Sequence, residues 1–244
     1  MADLGRPLRE TGLGRSGQKH PQSPTSRVRF LLRLVRITSN FLPMLRFDAV
    51  PEAVKALLLR LEQQPSLAEF ALGGGTSLAL RFGHRLSVDL DFFTTEPFSP
   101  QLFSEGLGLA DAKVMGIAPN SLTMDAGGVK LDFLRHAYPM LESPEIIDGV
   151  CLISLPDVTA MKLNAIANRG SKKDFYDFVE LLEHYGPPEM LDFFCRKYPA
   201  SDPFTVIRSL AWFGDAESEP DPVSLKGVTW EDVKRQVKMV VARL

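Results

Sequence analysis

The sequence predicts an α+β protein, with a mixed β-sheet in its first part and a C-terminal helical bundle. An Asp-x-Asp pair, Asp89 and Asp91, lies in the apolar run Ser87 to Thr94, and three more short strand-like segments follow before residue 136. Beyond Pro156, apolar residues recur instead at helical spacing, with Pro or Gly at most junctions. A chain of 244 residues, 45% hydrophobic and 24% charged, can build one large soluble domain or two small ones.

Residues 1–43 read as a disordered, basic extension. Up to about residue 26 it is rich in Gly, Pro, Ser and Arg with almost nothing to bury, and Arg27 to Asn40 could form a basic, half-apolar surface helix. Met44 opens a more conventional domain start, and part of the extension is expected to be a misassigned translation start. Residues 44–155 are assigned to the α/β core. From Pro51 to Gln64, Val54, Leu57, Leu58 and Leu61 repeat at helical spacing. Glu69 to Leu72 reads as a strand running into Gly73-Gly74-Gly75, Thr76 to Phe82 as a helix leaving it, and Ser87 to Thr94 as the next strand. A helix near Pro100 to Gly108 precedes strands at Ala112 to Ile117, Ser121 to Asp125 and Val129 to Arg135, the last two split by the hairpin signal Gly127-Gly128. Residues 156–244 are assigned to helices over Asp157 to Asn168, Lys172 to His184, Pro188 to Lys197, Pro203 to Phe213 and Trp230 to Arg243.

Alternation on a strand sends Asp89 and Asp91 to one side and Val88, Leu90 and Phe92 to the other. Two carboxylates held close on a rigid strand repel each other unless cations lie between them, so the spacing predicts a magnesium site. Asp132, between Leu131 and Phe133, alternates in the same way, and an antiparallel neighbouring strand would bring it to the same ions. Three carboxylates can hold two Mg²⁺ about 3.5–4 Å apart, an arrangement suited to in-line displacement at phosphorus. Gly74 and Gly75, followed by Thr76 and Ser77, open a helix where backbone amides can approach phosphate oxygens. It is neither a Walker loop nor a dinucleotide fingerprint. Arg81, His84 and Arg85 form a basic cluster suited to positioning phosphate. Lys162 and Arg169, seven residues apart, share a helix face while Leu163 and Ile166 face the core. Asp174 and Asp177 start the next helix, where either can act in catalysis or pair with Arg169, Lys172 or Lys173. Phe175, Tyr176, Phe178, Trp212 and Trp230 read as core.

Four stretches together resemble the AbiEii toxin nucleotidyltransferases of the polymerase-β-like superfamily. They are Gly74-Gly75-Thr76-Ser77-Leu78-Ala79-Leu80, His84-Arg85-x-Ser87-x-Asp89-Leu90-Asp91-Phe92-Phe93, Asp157-x-x-Ala160-Met161-Lys162 and Arg169-x-x-x-Lys173-Asp174-Phe175-x-Asp177. The resemblance spans roughly Met44 to Leu244, and the N-terminal extension departs from it. It implies a toxin of a toxin–antitoxin pair or of a phage-defence locus, a Mg²⁺-dependent enzyme that transfers a nucleotide from a nucleoside triphosphate to an acceptor hydroxyl, with a tRNA 3′ end as the expected acceptor and an antitoxin protein as a partner. Within it, Asp89 and Asp91 become metal ligands, Lys162 the triphosphate lysine, and Asp174 or Asp177 a further essential acid. Gly74, Gly75, Thr76, Ser77 and Arg85 are assigned to the triphosphate and Asp132 to the metal. The competing expectations are a non-catalytic nucleotide-binding module of the same fold, and transfer to a protein or small-molecule hydroxyl.

Composition narrows the setting. The two cysteines, Cys151 and Cys195, are too few for a disulfide framework or a thiolate metal site, and no stretch has the apolar length of a membrane span. A cytoplasmic protein with no membrane partner is therefore expected. Residues 1–46 carry nine Lys and Arg against two acids, a charge of +7, and the rest of the chain carries −9. An acidic body excludes a broad nucleic-acid-binding face, so any polynucleotide contact must be local.

Overall fold

The computed structural model describes residues 44–244. The expectations for the extension, including the helix over 27–40, lie outside the described residues. The sheet has seven strands: β1 (Ala71–Leu72), β2 (Leu90–Thr94), β3 (Lys113–Ala118), β4 (Ser121–Ala126), β5 (Val129–Arg135), β6 (Glu145–Ile147) and β7 (Val150–Leu152). Their order is β3-β4-β5-β2-β1-β7-β6. Helices α1 (Glu52–Leu61), α2 (Gly74–Phe82) and α3 (Pro100–Gly106) belong to the first part of the chain. Helices α4 (Leu155–Asn168), α5 (Lys172–Leu181), α6 (Pro187–Lys197), α7 (Pro203–Leu210), α8 (Gly214–Glu217) and α9 (Trp230–Val241) follow. This is the mixed-sheet α+β architecture that the sequence predicts.

The expected pairing of the two acid-bearing strands needs correcting. β2 and β5 run parallel, with Asp91 directly beside Asp132 and Leu90 beside Leu131. The face shared by the two acids is the same in either direction, since neighbouring residues in register point to one side of the sheet. The expected strand over 87–94 is also shorter, beginning at Leu90, and Val88 is 54% exposed rather than packed with Leu90 and Phe92. Of the Glu69 to Leu72 strand only Ala71 and Leu72 pair, because Pro65–Glu69 turns as a 3₁₀ helix.

One hairpin goes beyond the expected elements. β6 and β7 pair antiparallel around Asp148 and Gly149, both with positive φ (47° and 81°), and β7 then adds parallel to β1. Asp-Gly is the residue pair that a two-residue turn of this hand requires.

The sheet face away from the acids carries Leu90, Phe92, Leu122, Leu131 and Phe133, all fully buried. Phe92 and Phe133 stack at 5.3 Å across the β2–β5 pair, and Phe70, Phe98 and Phe103 pack edge-on around them. The other face is covered by helices. Ser154 caps α4 by accepting from the Asp157 amide, which fixes where the lysine helix begins. Leu163 and Ile166 of α4 pack into the same core as Phe175, Phe178 and Trp230. Trp212 departs from expectation, being 63% exposed just past the end of α7.

Candidate active site

The chain between α2 and β2 is a non-helical segment held on both sides. Leu86 N–H donates to the Val223 carbonyl, Leu225 N–H to the His84 carbonyl and Ser87 N–H to the Ala49 carbonyl. This fixes Arg85 and Asp89 on a segment that has little regular structure of its own. Lys172 ties the same C-terminal strap down, with Nζ donating to the Glu219 carbonyl and to Asp221 Oδ1.

A cavity of about 470 Å³ opens between the acid-bearing sheet face and α4. Gly74, Gly75, Arg85, Asp89, Asp91, Asp132 and Lys162 all line it. Asp132 accepts from Thr123 Oγ1 at 2.6 Å and from Lys130 Nζ at 2.6 Å, while Lys173 Nζ lies 3.8 Å from Asp89. Burial first, then the charges of Asp132 and Asp89, push the pKa of Asp91 above its ordinary value, against the pull of Lys162. Among the described residues no group of three or more His, Cys, Asp or Glu side chains is arranged to hold a metal ion. The carboxylates nonetheless suit a hard divalent cation: they are oxygen donors of like charge sharing one cavity wall, and Asp91 is penalised there when ionised.

The glycine turn is built to be narrow. Gly74 has φ +61°, and a Cβ placed on it would overlap Asp91 Oδ2, while one on Gly75 would overlap the Arg85 guanidinium. Backbone therefore runs directly against the Asp91 and Arg85 side chains, a close approach that glycine permits. Thr76 and Ser77 are buried beneath this turn and do not line the cavity. Thr76 Oγ1 bonds the Ser87 hydroxyl at 2.7 Å and the Asp89 carbonyl, and Ser77 Oγ donates to the Gly74 carbonyl at 2.9 Å. Their hydroxyls thus have backbone and side-chain partners other than a phosphate, and they shape the turn and hold Asp89. Gly75→Ala is expected to move the Arg85 head, weakening nucleoside triphosphate binding about tenfold or more and lowering stability by ~1–3 kcal/mol. Ligand titration and denaturant unfolding of the variant measure the two effects.

The cations are held from below by two fully buried acids. Asp177 accepts from Arg85 Nε and Nη2 at 2.7 and 2.9 Å, pairs with Lys162 Nζ at 2.6 Å and bonds His84 Nε2 at 2.7 Å. Asp174 accepts from Lys162 Nζ at 3.0 Å, Arg169 Nε at 2.9 Å and Ser171 Oγ at 2.8 Å. Burial alone would lower the pKa of Lys162, but Asp177 and Asp174 override it and hold the ammonium charged. Burial would likewise raise both acids, and the surrounding cations instead depress them, Asp177 far below the ordinary carboxylate value. Neither acid lines the cavity. For Asp174 and Asp177 the geometry shows pairing with cations, the alternative that left them no direct contact with a reacting group. Arg81 turns away from the cradle altogether, donating to Glu145 and to the Ile153 carbonyl.

Several cavity residues go beyond the expected set: Lys130, Lys173, Phe93, Leu134, His136 and Tyr198. Alternation along β5 could have drawn attention to Lys130 and Leu134, which share a face with Asp132. Nothing local marks Tyr198, 62 residues beyond His136, its partner.

The mixed sheet with its helical layer is a nucleotidyltransferase-type fold. Residues 56–113 and 118–239 match the family profile described as "Nucleotidyl transferase AbiEii toxin, Type IV TA system". The chain belongs to the AbiEii nucleotidyltransferase toxin family. It is 36% identical over 185 residues to an uncharacterized protein of Aquifex aeolicus (strain VF5), covering 70% of this chain and 87% of that one. Among solved structures it is similar to MenT4, nucleotidyltransferase toxin Rv2826c from Mycobacterium tuberculosis H37Rv, with a TM-score of 0.54 and 16% identity over 79% of this chain and 82% of that one. JHP933 from Helicobacter pylori matches with a TM-score of 0.49 and 18% identity over 80% of this chain and 92% of that one. At 16% identity the likeness to MenT4 is one of fold. Among the described residues no helix is long and apolar enough to cross a membrane.

Proposed function

We propose that this toxin transfers a nucleotide from a nucleoside triphosphate to an RNA hydroxyl, with a tRNA 3′ end as the acceptor and a separate antitoxin protein as its partner. The observation that carries this reading is the gathering of opposite charges in one cavity: Asp89, Asp91 and Asp132 line it together with Lys162 and Arg85. Mg²⁺ held by the three aspartates would neutralise charge on the reacting phosphate and favour ionisation of the attacking hydroxyl. The amides of Gly74 and Gly75 and the Arg85 guanidinium bind the outer phosphates, and Lys162 stabilises charge on departing pyrophosphate. Asp174 and Asp177 position those two cations and keep them ionised, so the leaving-group side needs no reorganisation during the reaction. Asp132, paired with Lys130, accepts the proton of the incoming hydroxyl.

The choice of RNA over a cationic small molecule is supported by the mouth of the cavity. Lys130, Lys173 and Arg169 expose 54%, 47% and 58% of their side chains there, a local basic rim on an otherwise acidic body. The test is incubation with total RNA and each α-³²P-labelled nucleoside triphosphate, with Mg²⁺ or with EDTA. RNA should be labelled only with the metal and only by the unmodified chain, not by Asp89→Ala. Label transfer by Asp89→Ala at the unmodified rate would reject the mechanism, and label found only on protein or small molecules would reject the acceptor.

A further inference from the structure

We infer that the cavity end formed by His136, Tyr198, Phe93 and Leu134 is the nucleobase pocket, and that His136, oriented by Tyr198, selects among nucleoside triphosphates. The inference rests on the proposed transfer reaction and adds the part of the substrate that the phosphate and carboxylate groups leave without a place.

One face of β5 supplies the argument. Lys130, Asp132, Leu134 and His136 alternate along it and all line the cavity. The pairing continues past the strand end, because His136 N–H donates to the Thr94 carbonyl at 2.7 Å. At ~3.3 Å per residue, His136 stands roughly 13 Å along the strand from Asp132. The face therefore grades from cation through carboxylate to uncharged groups. Phosphates of an RNA acceptor match the Lys130 end. The far end, with an aromatic ring on β2 (Phe93) and an aliphatic side chain on β5 (Leu134), matches the flat apolar faces of a base.

His136 brings specificity to that end. Tyr198 Oη lies 3.2 Å from Nε2, and the two rings meet edge to face at 5.8 Å, which commits one ring nitrogen and leaves Nδ1 as the hydrogen-bonding atom for a ligand. Burial, then the Lys197 charge, lowers the His136 pKa to about 4, so the imidazole is neutral and presents a single donor or acceptor rather than a cation. The support beneath is rigid. Lys197, fully buried, bonds Asp157 at 2.6 Å and donates to the Pro139 carbonyl at 3.2 Å, and Asp157 accepts from the amides of Leu141 and Glu142. The segment after β5 is thereby pinned to α4 and α6, with Tyr198 directly following Lys197.

The experiment compares equilibrium binding of ATP, GTP, CTP and UTP, with Mg²⁺, to the unmodified chain, His136→Phe and Tyr198→Phe. His136→Phe keeps a ring and removes both nitrogens. Tyr198→Phe keeps the packing and frees Nε2, so it alters the tautomer without deleting the histidine. The unmodified chain should rank the four triphosphates, and His136→Phe should weaken the preferred one about tenfold while the least preferred changes little. Tyr198→Phe, as a positioning variant, should compress the same ranking, a readout that general loosening of the fold would not move. An unchanged ranking in both folded variants overturns the inference and leaves the transfer reaction standing, as does equal binding of all four by the unmodified chain. Failure of the folded, unmodified chain to bind any of them overturns both.

Discussion

Asp91→Asn should make the protein more stable and abolish its activity. A carboxyl whose pKa rises on folding opposes folding at every pH above the raised value, and burial together with Asp132 and Asp89 places Asp91 in that position. An amide of nearly the same shape removes the charge and its repulsion. A gain of ~0.5–2 kcal/mol is expected in EDTA at neutral pH, as for other substitutions that relieve a strained functional site. Loss of one of the three carboxylates proposed to hold Mg²⁺ should lower transfer ~10³-fold or more, since several kcal/mol of transition-state stabilisation goes with it. Asp89→Asn supplies the contrast. Its side chain is 35% exposed, so its stability should change by no more than ~0.5 kcal/mol while activity falls as far. Denaturant unfolding in EDTA and labelled-nucleotide transfer with Mg²⁺ measure the two quantities. A destabilised Asp91→Asn protein would show that the acid cluster is not repulsive, and more than a tenth of the original activity would show that Asp91 holds no essential ion.

Legibility in the sequence followed the range of the forces involved. Strand alternation is local, so the shared face of Asp91 and Asp132 could be read directly, while Asp89 lies just before β2, and Gly127-Gly128 announced the β4–β5 hairpin. Strand direction is not local. The chain between β2 and β5 holds α3, β3 and β4, and whether β5 returns parallel or antiparallel is settled by that crossover rather than by residues near Asp132. The β6–β7 hairpin differs again, since Ile146-Ile147-Asp148-Gly149-Val150 carries a strong turn signal that three-residue strands made easy to pass over. Single residues were hardest. Thr76 and Ser77 sit in a phosphate-loop pattern, yet helix α2 turns both hydroxyls inward to the Gly74 and Asp89 carbonyls. His136 and Tyr198 come together only because β5 and α6 pack around one cavity.

Asp177→Asn carries the largest expected loss of stability, because it turns a balanced buried cluster into an unbalanced one. Asp177 is wholly enclosed, and its two oxygens serve Arg85, Lys162 and His84 at once, while Asp174 shares Lys162. Replacing the carboxylate leaves two buried cations facing a single remaining acid. Removing one partner of such a pair typically destabilises by ~3–5 kcal/mol, most of it the cost of the charge left behind. The acid response should change with it. A carboxylate depressed on folding gives its full stabilisation above its unfolded value, ordinarily 3.8, and loses it as pH falls from there toward the much lower folded value. The unmodified chain should therefore weaken steeply below about pH 4. Asp177→Asn, already weakened at pH 7, should show a shallower fall over the same range. If transfer falls in proportion to the folded fraction alone, the cluster serves only the fold. A deeper loss in the folded fraction, with weaker triphosphate binding, is expected, because Arg85 and Lys162 both line the cavity and take their placement from this one carboxylate. Urea unfolding at pH 7 and pH 3, set beside triphosphate titration below the unfolding transition, separates the outcomes. A loss under 1 kcal/mol at pH 7 would mean that the cations relax into solvent, and that Asp177 positions nothing.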